Sequence, residues 1–251
     1  MDHAIAAVAL APGLLVGSFL NVVAARVPLR RSIVTPGSAC MSCGTEIAWY
    51  DNVPVLSWLV LRGHCRSCGA AIPARYPAVE LLSALLVAGS VWRFGLHPEA
   101  LVAAFFCLAL VAVSATDIEH RIIPNRIVVP AAAVVLAAQT AVRPSPEWAI
   151  GAVAAAGILF TVALVSPKGM GMGDVKLALL LGAMLGKTVS VALMVGLLTA
   201  FVPSAYLLVR HGVAARKKKL PFGPFLAFGG VTALFWGSQL LDWYWSLSRV
   251  H

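Results

Sequence analysis

The chain has 251 residues, of which 60% are hydrophobic and only 12% charged, with a mean hydropathy of +0.89 and a net charge of +9. Soluble domains carry about 45–50% apolar and about 25% charged residues, so the composition excludes a water-soluble globular protein and defines a polytopic membrane protein. Open sheets cannot cross lipid, and the long apolar runs lack the period-2 alternation of a membrane barrel, which leaves helices.

The apolar runs predict about eight transmembrane helices, over 4–25, 77–95, 98–116, 125–142, 147–165, 175–186, 188–209 and 222–241. The fold class expected is an all-α membrane helix bundle with one small polar loop domain. The first run starts almost at once and has no basic region before it, so it reads as a retained anchor (1–26) and not a cleaved signal. The sixth run is short, and Lys187 is its only clear boundary with the seventh. Pro130 and Pro203 lie inside spans and predict kinks.

The basic residues set an orientation. Arg26, Arg30, Arg31, Arg62, Arg66 and Arg75 fall in one connection, and Arg121, Arg126, Lys168 and Lys176 in two others on the same side. With Arg210, Arg216 and Lys217 to Lys219 they make fifteen of the 19 Lys and Arg residues. The other side receives Arg93, Arg143, Lys187 and Arg249. The positive-inside rule then places the connections of the first group in the cytoplasm and both termini outside it. The run Arg216 to Lys219 invites a reading as an anionic-lipid patch, but a short cytoplasmic loop accounts for it.

The one sizeable polar segment, 27–76, holds Cys40-Met-Ser-Cys43 and Cys65-Arg-Ser-Cys68, each followed by glycine (Gly44, Gly69). Two such pairs fit a tetrahedral Zn(II) site of four thiolates, with the glycines supplying the tight turns. The alternative is two disulfides, which requires an oxidising compartment, and the charge count places this loop in the cytoplasm. Four thiolates leave no open position, so such a metal is structural and supplies folding energy to a loop too small for a core. Cys107, within the third span, is expected to pack.

The remaining segment, 77–251, carries two acids at the borders of apolar runs. Asp117 ends the third, and Asp174 opens the sixth behind Gly171-Met-Gly173. Two spans lie between them, so both acids return to one face of the membrane whichever orientation holds. Two carboxylates brought together at low dielectric share a proton, and one can act as acid while the other acts as base on a water. The glycines would let a substrate backbone or water approach closely. The bland alternative makes Asp174 a helix cap. It fits Asp117 poorly, because a carboxylate at a helix C-terminus opposes the dipole. Glu80, Glu119 and His120 are nearby polar residues expected at the interface.

These residues give the chain a strong resemblance to the type IV prepilin leader peptidase family, membrane aspartic proteases of the Gly-x-Gly-Asp type. Gly17-Ser-Phe-Leu-Asn-Val-Val23 with Arg26 and Pro28 resembles the family's first span. Asp51-Asn-Val-Pro-Val-Leu-Ser-Trp58, Arg62-Gly63, the second cysteine pair and Ala74 to Leu82 are similar to its cytoplasmic loop. Asp117 with Pro124, the stretch Gly171 to Lys176 and Pro221-Phe-Gly-Pro-Phe225 follow in order. The resemblance implies an inner-membrane enzyme that removes the basic leader of prepilins or type II pseudopilins after a glycine, at the cytoplasmic face. Asp117 and Asp174 match the catalytic positions. Many members then methylate the new N-terminus with S-adenosylmethionine, and the four-cysteine loop is typical of those; no residue here reads as a methyl-donor motif. The partners implied are prepilin or pseudopilin substrates and the bilayer, with no nucleic acid. Competing readings are a peptidase without methylation, a transporter using Asp117 and Asp174 as ion-coupling acids, and an assembly factor with a zinc loop.

Overall fold

The structure, a computed structural model, describes residues 2–166, 170–211 and 220–248. Lys168, the run Arg216 to Lys219 and Arg249, which entered the charge count, lie outside the described residues. The described residues form ten α-helices and no β-strand. Two compact units divide the chain, Met1–Ala115 and Thr116–His251.

In the first unit, α1 (Asp2–Val8) and α2 (Leu10–Arg26) together make the first apolar stretch. The break falls where Pro12, lacking an N–H, cannot bond the carbonyl of Val8. Helix α4 (Arg75–Phe94) packs on α2 through glycine: a Cβ on Gly13 would lie 2.6 Å from the Ala84 Cα, and one on Gly17 2.7 Å from the Glu80 Cα. Such backbone proximity is the usual device of helix pairs in lipid, where no hydrophobic effect drives association. Between them, the polar segment has a 3₁₀ turn, Trp49–Asn52, and the short helix α3 (Leu56–Val60). Gly95, in the left-handed region at φ 68°, ends α4. Helix α5 (Pro98–His120) then starts on proline, which is favoured in a first turn. Phe106, Cys107, Leu110 and Val113 of α5 are fully buried, Cys107 being the packing residue expected.

The second unit starts at the last turns of α5, and runs through α6 (Asn125–Val142), α7 (Glu147–Val165), α8 (Met172–Leu185), α9 (Val189–His211) and α10 (Gly223–Ser248). Helices α6 and α8 run parallel. Lys176 Nζ donates to Asn125 Oδ1 (2.8 Å) at one end, and Gln139 Nε2 donates to the Met184 carbonyl (3.1 Å) at the other. Helix α7 is antiparallel to both and meets α8 without side chains between, since a Cβ on Gly182 would overlap the Gly151 carbonyl.

Among the described residues, seven stretches are long and apolar enough to cross a membrane, one of them the 39 residues Met172–Arg210. That stretch is broken at Gly186, whose φ of 53° ends α8. Helix α9 runs back: Gly237 of α10 faces Thr188, while Gly196 faces Phe225 and Leu226 at the start of α10. Helices α8 and α9 are therefore a hairpin turning at Lys187, as the eight-span reading requires. Helix α8 has 14 residues, about 21 Å, short of a hydrocarbon core of about 30 Å.

The α7–α8 contact leaves no room for a side chain at Gly182. Gly182→Val is expected to destabilise the full-length protein by at least the ~1–3 kcal/mol typical of overpacked sites, whereas Gly157→Val, which meets open space, is not. Thermal unfolding in detergent checks this; equal stability of the two variants would contradict the packing.

Candidate functional site

The polar loop of the first unit is built around its cysteines. Their Sγ atoms lie within 4.8 Å of one another, and Cys40 Sγ and Cys68 Sγ are 3.8 Å apart. A tetrahedral ion with metal–sulfur bonds of ~2.3 Å requires sulfur separations of about 3.8 Å, whereas a disulfide requires ~2.05 Å. All four are free thiols, so they form a cluster that can hold a metal ion, and the disulfide alternative does not describe it.

The two halves repeat one geometry. Cys40 N–H donates to the Thr45 carbonyl and Gly44 N–H to the Cys40 carbonyl, both at 2.9 Å. Cys65 N–H donates to the Ala70 carbonyl and Gly69 N–H to the Cys65 carbonyl, at 2.8 and 2.9 Å. Gly44 and Gly69 have φ of 71° and 70°, the left-handed conformation that requires glycine after each pair. N–H groups of Cys43 and Ser42 hold the Cys40 thiol below its ordinary range, and those of Cys68 and Ser67 do the same for Cys65. The Thr45 hydroxyl and N–H lower Cys43. Cys68, against a lowering Ala70 N–H, is pushed up to about 11 by the neighbouring sulfurs and by burial. A crowded set of thiols of this kind sheds its protons together when a cation binds.

The loop is tied down at two points. Arg66, inside the second cysteine pair, donates through Nε and Nη2 to both oxygens of Asp51 at 2.7 and 2.6 Å, and holds that carboxyl below its usual range. The second tie comes from α4: the Glu80 side chain is buried there and accepts the Val55 N–H at 2.7 Å. Val55 has φ 61°, an outlier for a β-branched residue, and this contact fixes it. Trp58 Nε1 donates to the Ile72 carbonyl (3.0 Å) beside it.

The acids belong to the second unit. Helix α5 continues one turn past Asp117 and ends where Arg121 adopts φ 55°. Asp117 is 6% exposed, and its Oδ2 accepts the N–H of Gly223, the first residue of α10, at 2.9 Å. The positive end of α10 thus faces the carboxylate, offsetting the unfavourable dipole of its own helix. Asp174 occupies the third position of α8, not its cap. Its Oδ2 reaches back to the Gly171 N–H at 3.1 Å, one half of a capping box.

The link after α5 brings the acids to one end of the unit. Ile123 packs on Gly173, where a Cβ would lie 2.8 Å from the Ile123 Cβ, and Asn125 meets Lys176. Asp174 lies within electrostatic reach of Asp117. Within the unit Gly173 admits Ile123, and the exposed Gly171 caps α8 through its main chain. Glu119 is exposed, and His120 Nε2 lies 4.0 Å from its Oε1. Glu80 was visible in the sequence as an acid within an apolar run, but its partner Val55 was not; Gly223, read there only as part of the stretch Pro221 to Phe225, had a signal in its place between prolines 221 and 224.

The fold is that of a membrane helix bundle with two acids held by main-chain N–H groups at one end of a unit, and comparison with known proteins gives the family. The Bacterial Peptidase A24 N-terminal domain matches residues 12–94, and the Type IV leader peptidase family matches residues 104–209. A "Prepilin leader peptidase/N-methyltransferase" of Bacillus subtilis (strain 168) is 36% identical over 92% of this chain and 94% of its own. Proteins of that name from Xanthomonas campestris pv. campestris and Pseudomonas aeruginosa are each 34% identical over 92% of this chain, and over 91% and 90% of theirs. No solved structure matches. The chain belongs to the type IV leader peptidase family, and is a multi-pass inner-membrane protein.

The cysteine geometry predicts that Cys68→Ser loses stoichiometric metal from the full-length protein, read by elemental analysis after purification without chelator. An unchanged metal content would contradict a site that uses all four sulfurs.

Proposed function

We propose that this protein cleaves the basic leader of type IV prepilins or type II pseudopilins after a glycine, at the cytoplasmic membrane face, and then methylates the new N-terminus. The observation that carries the peptidase reading is the placement of Asp117 and Asp174 at one end of a unit, each with one oxygen engaged by a main-chain N–H. The name shared by the relatives, prepilin leader peptidase/N-methyltransferase, supports both activities. It does not favour ion coupling by the same acids.

In the proposed reaction the second oxygens of the two carboxylates share a water. One carboxylate takes a proton from that water as its oxygen bonds to the carbonyl carbon of the glycine, and the other, protonated, gives its proton to the carbonyl oxygen. The tetrahedral intermediate then collapses: the carboxyl that took the water proton gives it to the leaving amine as the C–N bond breaks, the other carboxylate takes back a proton from a hydroxyl of the intermediate, and the leader keeps the new carboxyl. The acids act as a pair, so neither role is assigned to one residue. Gly171 contributes its N–H to Asp174, and Gly173 the close approach of α8 to Ile123.

Cys40, Cys43, Cys65 and Cys68 would hold Zn(II) as a structural ion; its four thiolates leave no position for substrate. S-adenosylmethionine would supply the methyl group, and no residue is assigned to it. In functional terms we read 1–26 as an anchor, 27–76 as the cytoplasmic zinc loop and 77–251 as the protease core, with both termini outside the cytoplasm. A substrate helix enters from the bilayer while its basic leader stays in water.

The test is co-expression with a prepilin-like substrate. Wild type is expected to remove the leader, and Asp117→Asn and Asp174→Asn to lose cleavage by at least about 100-fold at equal abundance. Mass analysis of the product is expected to show one added methyl group. Cleavage at the wild-type rate by both variants would sink the aspartyl mechanism, and an unmethylated product would confine the activity to proteolysis.

A further inference from the structure

Helix α10 starts at Pro221-Phe-Gly-Pro-Phe225, and its first turn has an unusual supply of donors. Pro224 has no N–H, and the N–H groups of Phe225 and Leu226 both close on the Phe222 carbonyl, at 3.1 and 3.2 Å. Across residues 223 to 226, Gly223 alone supplies an N–H to another element. That donor is buried and goes to Asp117 Oδ2 at 2.9 Å, across 106 residues of chain. The same residue has no room for a side chain. A Cβ on Gly223 would lie 2.8 Å from Asp117 Oδ2, 3.3 Å from its Cγ and 3.4 Å from its Cβ.

We infer that Gly223 is a positioning residue for the peptidase reaction: its N–H fixes where the Asp117 carboxylate points, and its missing side chain is the space that carboxylate occupies. The inference rests on the proposed aspartyl mechanism. Ordinary helix packing does not require it, because the contact is with the carboxylate itself and not with the body of α5. Elsewhere on α10, Gly229 and Gly237 face Ala192 and Thr188 of the α8–α9 hairpin and serve packing alone. An alanine at 223 must push the carboxylate aside. Displacements near 1 Å at a reacting group cost on the order of 100-fold in rate.

The test uses full-length protein in detergent with a cleavable prepilin-like substrate. Gly223→Ala is expected to lower kcat by about 100-fold with KM within about twofold of wild type, while Gly157→Ala, in open space on α7, keeps both. A wild-type kcat in Gly223→Ala, or a loss carried by KM alone, would overturn the inference while Asp117→Asn still reports on the mechanism beneath it. A second measurement does not depend on how Gly223→Ala folds. In protein labelled with ¹⁵N-glycine, the Gly223 amide proton of wild type is expected downfield, as a carboxylate acceptor requires, and to move upfield in Asp117→Ala. An amide resonance that ignores that substitution would equally overturn it.

Discussion

A carboxylate buried at the C-terminal end of a helix is opposed by its surroundings twice, by loss of water and by the dipole of its own helix. Asp117 is in that position, 6% exposed in the last turn of α5. The donor from the first residue of α10 makes the arrangement tenable, and much of the second unit follows from having to deliver it. The chain leaves α5, forms the α6–α7 pair, makes the α8–α9 hairpin, and only then returns to Asp117 with a helix start. Asp174 has an easier position, at the favourable end of α8, where its own first turn satisfies it. The two acids thus differ in what holds them, one by contact across the unit and one by local capping. The capping role of Asp174 and a chemical one are compatible, because capping uses a single oxygen.

The first unit solves a different problem. A loop of about 50 residues between helices cannot bury a core of its own, and its fold rests on short-range turns, four sulfurs and two anchoring acids. Asp51 holds the second knuckle through Arg66, and Glu80 holds the strained Val55 from the body of α4. The second tie makes α4 part of the loop's foundation as well as a membrane helix.

Much of this was legible in the sequence because it is local. Apolar runs placed most of the helices to within a few residues, although α10 runs to Ser248, well past the expected end at 241, and Lys187 marked a turn that length alone does not separate, since Met172–Arg210 reads as one stretch. The knuckles were legible because spacing and the following glycines determine them. That two crossings return Asp174 to the level of Asp117 followed from parity, and the Ile123–Gly173 contact is its structural counterpart. What could not be read was long-range or conformational. The contact of Glu80 with Val55 was not legible because nothing nearby in sequence predicts that Val55 turns its N–H inward. The approach of Ile123 to Gly173 was not legible because the isoleucine lies 50 residues away. Helix α5 outran the expected end at 116 because its stop is a left-handed Arg121, a residue type with no such preference.

In the proposed mechanism Asp117 and Asp174 act on one water at one scissile bond. The decisive measurement is the binding of an uncleavable peptide that spans the leader junction, with a hydroxyl isostere in place of the scissile amide. Such a group mimics the tetrahedral intermediate and draws its affinity from the acids that stabilise it. Tight binding to the wild-type protein in detergent is expected, with a loss of at least about 100-fold on either Asp117→Asn or Asp174→Asn. Equal affinity for wild type and both variants would contradict it, and would leave the two aspartates as structural partners of α10 and α8.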